Sequence, residues 1–118
     1  MLTIESSVAA PPSVGVHIVK IAGDADFSGG ETLERFLHGL AAHRPAGVVF
    51  ELTGTRFMGS LAIGILVSFR KTMQGWGGHM ALAGLSPGLD AALRITRLTS
   101  VLRVYPTLEQ AVAEIKSN

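Results

Sequence analysis

Short apolar segments rich in β-branched residues recur along the chain, and stretches with helical spacing of apolar residues separate them. The first two are a partly alternating segment and a β-branched segment that closes at Gly23 and Asp24. The run 47–52 is almost continuously apolar, which is typical of a strand covered on both faces. We therefore predict strands at 2–8, 14–21, 47–52, 79–83 and 100–105, with a turn at 9–12 between the first two.

Four amphipathic segments lie between or after these strands. Capping boxes stand at 28–31 and 107–110, and Ser86 precedes a proline at the first position of a short helix. A further helix is predicted from near Ser60 to Gly75, and apolar residues cover most of its circumference. The predicted core stripes are Leu33, Phe36, Leu37 and Leu40, then Ala62, Leu66, Phe69 and Met73, then Leu89, Ala92 and Leu93, and finally Leu108, Ala111, Val112 and Ile115.

The order of these elements is β-β-α-β-α-β-α-β-α, with connections of a few residues. Helices that connect successive strands favour a parallel sheet, and the first two strands add an antiparallel pair. The pattern therefore predicts an α/β fold with a mixed, mostly parallel sheet of about five strands and about four helices. No linker or repeat interrupts it, so residues 1–118 are expected to form a single domain.

Composition narrows the classes of function. Hydrophobic residues make up 47% of the chain and charged residues 16%, with a net charge of +1 and no cysteine. Scattered basic residues give no footprint for nucleic acid, and the lack of cysteine excludes disulfides and thiolate metal sites. No apolar run reaches the length that spans a bilayer, so we expect a cytoplasmic protein without direct membrane insertion.

Motifs for catalysis or for cofactors are missing from the sequence. The four histidines occupy separate predicted elements, where we expect them at the surface or at strand ends. Asp24 and Asp26 are close in sequence, and turn and cap roles account for both. The sequence also lacks a nucleophile elbow, a Walker A loop and a dinucleotide fingerprint. We therefore predict a protein that is not an enzyme and has no cofactor and no metal.

The segment 52–66 stands apart, because a predicted strand end, a polar turn and a helix start follow one another there. The helix would begin at the hydroxyl residue Ser60, flanked by apolar groups. Ser60 is interpreted either as a simple N-cap or as a phosphate acceptor whose charge the helix N-terminus would stabilise. We expect Phe57 and Met58 to pack at the strand end. The pair expected at the surface is Ser60 with Leu61, although each apolar residue here could lie under the adjacent helices.

Several of these segments together resemble the STAS domain of bacterial anti-sigma factor antagonists. The stretch 19–26 resembles the family's strand-ending signature, 48–52 its central strand, and 57–66 its motif of strand end, two serines and a glycine-containing helix start. The later strands at 77–83 and 98–104 also match. Order and spacing extend the resemblance over nearly the whole chain, and they imply the STAS fold.

The resemblance implies a non-enzymatic adaptor that binds a kinase-type anti-sigma factor and is released when a serine of the motif is phosphorylated. It places the partner-binding residues at Asp26, Met58, Gly59, Ser60, Leu61, Ala62, Ile63 and Gly64. Gly59 stands where the family has Asp, Ser60 matches the first serine, and Ala62 replaces a glycine. The usual phosphoacceptor position holds Leu61, which has no hydroxyl, so phosphorylation there is impossible.

Two consequences for regulation remain open at this point. The domain could bind its partner constitutively, or Ser60, Thr53 or Thr55 could accept the phosphate instead. The alternative function is a STAS accessory subunit of a lipid-transporting ABC system, although Ala62 fits that group's motif poorly. A third is a small-ligand sensor, for which few convergent polar groups are visible.

Overall fold

A computed structural model describes residues 2–8 and 15–116 of the chain. Five strands and four helices alternate in the predicted order, and a short 3-10 turn at Leu98–Ser100 is added. The turn predicted at 9–12 lies outside the described residues. The elements are β1 Thr3–Val8, β2 Val16–Ala25, α1 Phe27–Ala41, β3 Gly47–Met58, α2 Ser60–Gln74, β4 His79–Ala83, α3 Pro87–Ile95, β5 Val104–Tyr105 and α4 Leu108–Lys116.

The five strands form one sheet in the order β1-β2-β3-β4-β5. β1 pairs antiparallel with β2, and the other neighbours are parallel. This confirms the predicted mixed, mostly parallel α/β fold. Because four strands run in one direction, the carboxyl ends of β2 and β3 lie at one edge of the sheet, and β4 and β5 begin at the opposite edge.

Helices cover both faces of the sheet. On one face Val48, Phe50 and Leu52 join the large core cluster, which contains buried apolar residues of α1, α2 and α3. Ala92, which was placed in the predicted stripe of α3, is exposed. On the other face Val49 packs with Ala111 and other residues of α4. Alternate residues of β3 therefore enter two separate cores, which explains the continuous apolar run and confirms that both faces are covered.

The central strand β3 is longer than predicted. It continues past Leu52 to Met58, because its pairing with β2 also continues, through register shifts, as far as Ala25. Gly54 allows this continuation, since a Cβ there would lie 2.9 Å from the Cβ of Ala22. The polar stretch interpreted as a turn is therefore a strand.

Three helix or strand boundaries also differ from the prediction. Helix α1 is capped by Asp26, which accepts a hydrogen bond from the amide of Gly29 at 3.0 Å, so the predicted capping box at 28–31 is wrong. Asp26 has the cap role that was considered for it. Helix α2 is capped by Gly59 and includes Ser60. The last strand is two residues long, because the 3-10 turn at Leu98–Ser100 takes up the stretch before it.

Candidate functional site

The candidate site lies where β2 and β3 end and α2 begins. Phe57, the penultimate residue of β3, has 54% of its surface exposed. Beside it, the guanidinium of Arg56 lies 3.5 Å from the carboxylate of Asp24 on β2, and the side chain of Arg56 is largely in solvent whereas that of Asp24 is partly exposed. Such an exposed pair contributes little to stability. This edge of the sheet therefore presents an exposed aromatic ring next to a weakly paired charge.

The first turn of α2 is open at the same edge. Its N-cap is Gly59, which supplies no side-chain hydrogen bond to the helix. In contrast, α1, α3 and α4 receive caps from Asp26, Ser86 and Thr107. The first amide groups of a helix have no acceptor within it, so the start of α2 offers free donors and the positive end of the helix dipole.

Leu61 lies in this first turn and has 40% of its surface exposed. Its covered part packs on α1, where Gly30 is buried. A Cβ added at Gly30 would lie 3.0 Å from Cδ2 and 3.1 Å from Cγ of Leu61. The glycine therefore lets the two helices approach, and the leucine is held half in and half out of the surface.

A groove of about 940 Å³ continues from this point between α1 and α2. Its wall on α1 is mostly charged or polar, and its wall on α2 is a mixture of small polar and apolar residues. Gly64 opens the groove, because no heavy atom lies within 4 Å of a Cβ built on it. The lining residues are Glu31, Glu34, Arg35, Leu37, His38, Ala41, Ser60, Leu61, Gly64, Ile65, Ser68, Phe69 and Thr72.

Neither a cluster of metal ligands nor a membrane-spanning helix is found among the described residues. Within residues 2–8 and 15–116, no group of three His, Asp or Glu side chains is placed to hold a metal ion. No helix in the same part of the chain is long and apolar enough to cross a membrane. The site is therefore a surface of mixed apolar and charged character, with an open helix start at its centre.

The model of the STAS domain family matches residues 7–111. The chain belongs to the STAS domain family. The match includes β3, α2 and the groove between the helices, so the candidate site is part of the STAS domain itself.

Relatives and solved structures agree with this assignment. A protein of Thermotoga neapolitana assigned to the anti-sigma factor antagonists is 25% identical over 69 residues, which are 58% of this chain and 61% of the relative. The chain thus spans about three fifths of that relative's length. An anti-sigma F factor antagonist of Paenibacillus polymyxa is 23% identical over 103 residues, 86% of this chain and 88% of the relative.

Among solved structures, the crystal structure of an anti-sigma factor antagonist from Mycobacterium paratuberculosis has a TM-score of 0.87 with this STAS domain. The match covers 98% of this chain and 95% of that one, at 22% identity. At this identity the likeness establishes the fold. It confirms the STAS fold that the sequence resemblance implied.

Of the predicted partner-binding residues, the STAS domain exposes some and buries others. Ser60, Leu61 and Gly64 are exposed at the start of α2, and Asp26 is exposed beside them. Gly59 and Ile63 are half-buried, whereas Met58 and Ala62 are buried. The buried side chains belong to the core cluster under the helix, so any part they play in binding would be indirect.

The three candidate phosphate acceptors also differ in access. Ser60 and Thr53 are exposed. Thr55 is fully buried, and its hydroxyl donates a hydrogen bond of 2.7 Å to the carbonyl of Ile21. A kinase could reach it only if β2 and β3 separated, so Ser60 and Thr53 are the accessible candidates.

Sequence reasoning missed two parts of this surface. Phe57 was expected to pack in the core or at the strand end, but it is exposed. The pairing of β2 with β3 shifts register just before Asp24 pairs with Phe57, and both Arg56 and Phe57 are exposed between the buried Thr55 and Met58. The wall on α1 was also missed. Its polar residues Glu31, Glu34 and His38 recur at helical spacing opposite the core stripe, and that periodicity was the available indication.

Proposed function

We propose that this STAS protein is a non-catalytic regulator that acts as an anti-sigma factor antagonist by binding a kinase-type anti-sigma factor. The names of the relatives from Thermotoga neapolitana and Paenibacillus polymyxa support the class of function. The observation that carries the proposal is the exposed apolar pair Phe57 and Leu61 beside the open start of α2. Exposed apolar residues at one place on a small domain often mark an interaction site.

The proposed contact surface consists of Asp26, Phe57, Gly59, Ser60, Leu61 and Gly64, with Met58, Ala62 and Ile63 supporting it from below. Its centre is apolar and its rim is charged, through Asp24, Arg56 and Glu31. Protein interfaces commonly have such an apolar centre and polar rim. The free amides at the start of α2 would donate hydrogen bonds to a carboxylate of the partner.

Regulation by phosphate would differ from that implied by the family motif. Leu61 fills the motif position of the acceptor and has no hydroxyl. We propose constitutive binding as the main mode, with Ser60 and then Thr53 as the accessible alternatives. A phosphate on Ser60 would carry between one and two negative charges into the centre of the proposed surface. It would oppose docking of an apolar or acidic partner segment.

The direct test mixes the purified chain with a serine kinase encoded in the same gene neighbourhood, where one is present, and measures binding by isothermal titration calorimetry. We expect a saturable complex with ADP bound to the kinase. A second sample with ATP is analysed by phosphopeptide mass spectrometry, in which constitutive binding predicts no phosphate on Ser60 or Thr53. Absence of any complex with that kinase would refute the proposed partner class.

The alternative function, an accessory subunit of an ABC transporter, predicts a different binding partner for the same purified chain. In that case the neighbouring genes would encode a permease and an ATPase, and the chain would bind the ATPase subunit. No observation on the described residues favours this second function, and both curated relatives reported above are named for anti-sigma factor antagonism.

A further inference from the structure

A second concavity lies at the opposite edge of the sheet from the proposed contact surface. It has a volume of about 550 Å³ and lies where β4 and β5 begin and α2 ends. Its size falls in the range of small-molecule sites. The lining residues are Arg70, Gln74, Gly77, Gly78, His79, Met80, Ser100, Val101 and Arg103, and we call this the basic pocket.

The charges around the basic pocket have one sign. These charges are Arg70 from α2 and Arg103 from the segment before β5, and His79 at the first position of β4 adds a ring nitrogen that can form hydrogen bonds. Among the described residues that line it, none carries a carboxylate. The ion pairs of the described chain, Asp24 with Arg56 and Asp90 with Arg94, lie elsewhere. Within residues 2–8 and 15–116, the two guanidinium groups of the pocket therefore form no ion pair.

Local structure accounts for only one of these cations. Arg70 lies near the C-terminus of α2, where a positive charge is stabilised by the helix dipole. Arg103 is on a separate segment and gains nothing from that helix end. Its position is fixed through its own backbone carbonyl, which accepts a hydrogen bond of 2.8 Å from the amide of Leu82 on β4. Two segments distant in sequence thus bring like charges to one cavity.

The glycine segment of the basic pocket lies against a tight contact between Trp76 and Pro45. The indole of Trp76 donates a hydrogen bond of 2.8 Å to the carbonyl of Pro45, and Gly78 fits beneath it, since a Cβ there would lie 2.8 Å from the indole nitrogen. The amides of Gly77 and Gly78 are used to cap the end of α2. A ligand would therefore be held by side chains, with the guanidinium groups as the main donors.

We propose that the basic pocket binds a small anion that carries phosphate groups. Guanidinium groups pair with phosphate through two parallel hydrogen bonds, which are among the strongest in proteins. The guanidinium groups of Arg70 and Arg103, with His79 and Gln74 at the same cavity, suit a diphosphate ligand better than a ligand with a single carboxylate. The cavity is larger than a diphosphate alone, so an organic group attached to it would also fit. This site is independent of the partner-binding function proposed above.

The test is a titration of the whole chain, labelled with ¹⁵N, with inorganic pyrophosphate, followed by amide chemical shifts. We expect saturable shifts centred on residues 77–80 and 100–103. The variants Arg70→Gln and Arg103→Gln should each raise the dissociation constant for pyrophosphate about tenfold, which corresponds to the loss of one charge-assisted hydrogen bond. Arg103→Lys should keep part of the affinity, because it retains the charge but loses the paired hydrogen bonds.

The matched control is Arg35→Gln, which removes the same charge from the groove between α1 and α2. Equal weakening by this control would mean that net charge alone attracts the anion, and it would overturn the proposal. Linear, unsaturated shifts up to millimolar pyrophosphate, or shifts centred outside the pocket, would also overturn it. Retention of a dispersed spectrum in each variant shows that the fold is intact. None of these outcomes depends on whether a kinase binds at the other edge.

Discussion

The substitution Leu61→Asp separates a binding role of the start of α2 from a structural one. Full burial of a leucine stabilises by about 1.5–3 kcal/mol, and Leu61 is 40% exposed, so its covered part contributes about 0.9–1.8 kcal/mol to the fold. Aspartate in the first turn of a helix regains about 0.3–1 kcal/mol from the free amides and the dipole. We therefore expect a loss of about 1 kcal/mol in the free energy of unfolding, and a folded protein.

Leu61→Asp should weaken partner binding by more than it lowers the free energy of unfolding. The exposed part of Leu61 would contribute about 0.6–1.2 kcal/mol when a partner covers it, and an unpaired carboxylate in an apolar contact adds a desolvation cost. We expect binding to weaken by about 2 kcal/mol or more, which raises Kd about thirtyfold. Isothermal titration calorimetry with the adjacent kinase measures the binding, and urea denaturation measures the stability.

Ile95 provides the matched control. It is 82% exposed at the last position of α3, away from the proposed surface. Ile95→Asp places the same charge at a helix C-terminus, where the helix dipole opposes it. We therefore expect this variant to have a lower free energy of unfolding and an unchanged Kd for the partner. Equal weakening of the complex by the two variants, or a change in Kd of less than about threefold for Leu61→Asp, would refute the reasoning.

Four further substitutions test neighbouring parts of the structure. Thr55→Val should lower the free energy of unfolding by about 1–2 kcal/mol in urea denaturation, because the carbonyl of Ile21 loses a buried donor. Gly30→Ala should weaken partner binding in calorimetry by displacing Leu61, whereas Gly39→Ala, which has no neighbour within 4 Å, should raise the free energy of unfolding by about 0.5–1 kcal/mol. Leu61→Ser should gain phosphate from the adjacent kinase and ATP, by mass spectrometry, at a position where the parent chain gains none.

Elements with strong local determinants were predicted closely from the sequence. The strand at 79–83 has the predicted bounds, and Ser86 caps α3 with a hydrogen bond of 3.3 Å to the amide of Leu89. Thr107 likewise accepts a hydrogen bond from the amide of Gln110. In each case the residues that end or start the element lie within a few positions of it, so a local pattern was enough.

The extension of β3 could not be predicted in the same way. In residues 53–57, Gly54 and the break in the apolar run indicated a turn, although threonine and phenylalanine have strand propensity. They form a strand because the partner strand β2 is 30 or so positions away and continues beside them, with Thr55 donating to Ile21. Strand propensity depends on such pairing more than on the residue alone, so the information was not local.

Exposure of the site had the same non-local cause. Helix α2 is apolar around most of its circumference, so periodicity could not decide which side of it faces solvent. Contact with α1 decides it, since Gly30 receives part of Leu61 and leaves the rest uncovered. The resemblance to the STAS family predicted a contact surface at the start of α2, whereas the exposure of Phe57 and the wall on α1 came only from the packing.

The position of Leu61 also bears on how the protein would be regulated. A phosphoserine there would place charge directly on the contact with Gly30, so the family motif couples modification to both the helix contact and the surface. Leucine at that point instead adds an apolar group to the contact. Ser60, one residue earlier, is exposed, but its hydroxyl makes no capping bond that phosphate would break. A phosphate on Ser60 would therefore act on the partner, and because Ser60 lines the groove with Glu31 and Glu34, it would also bring like charges towards α1.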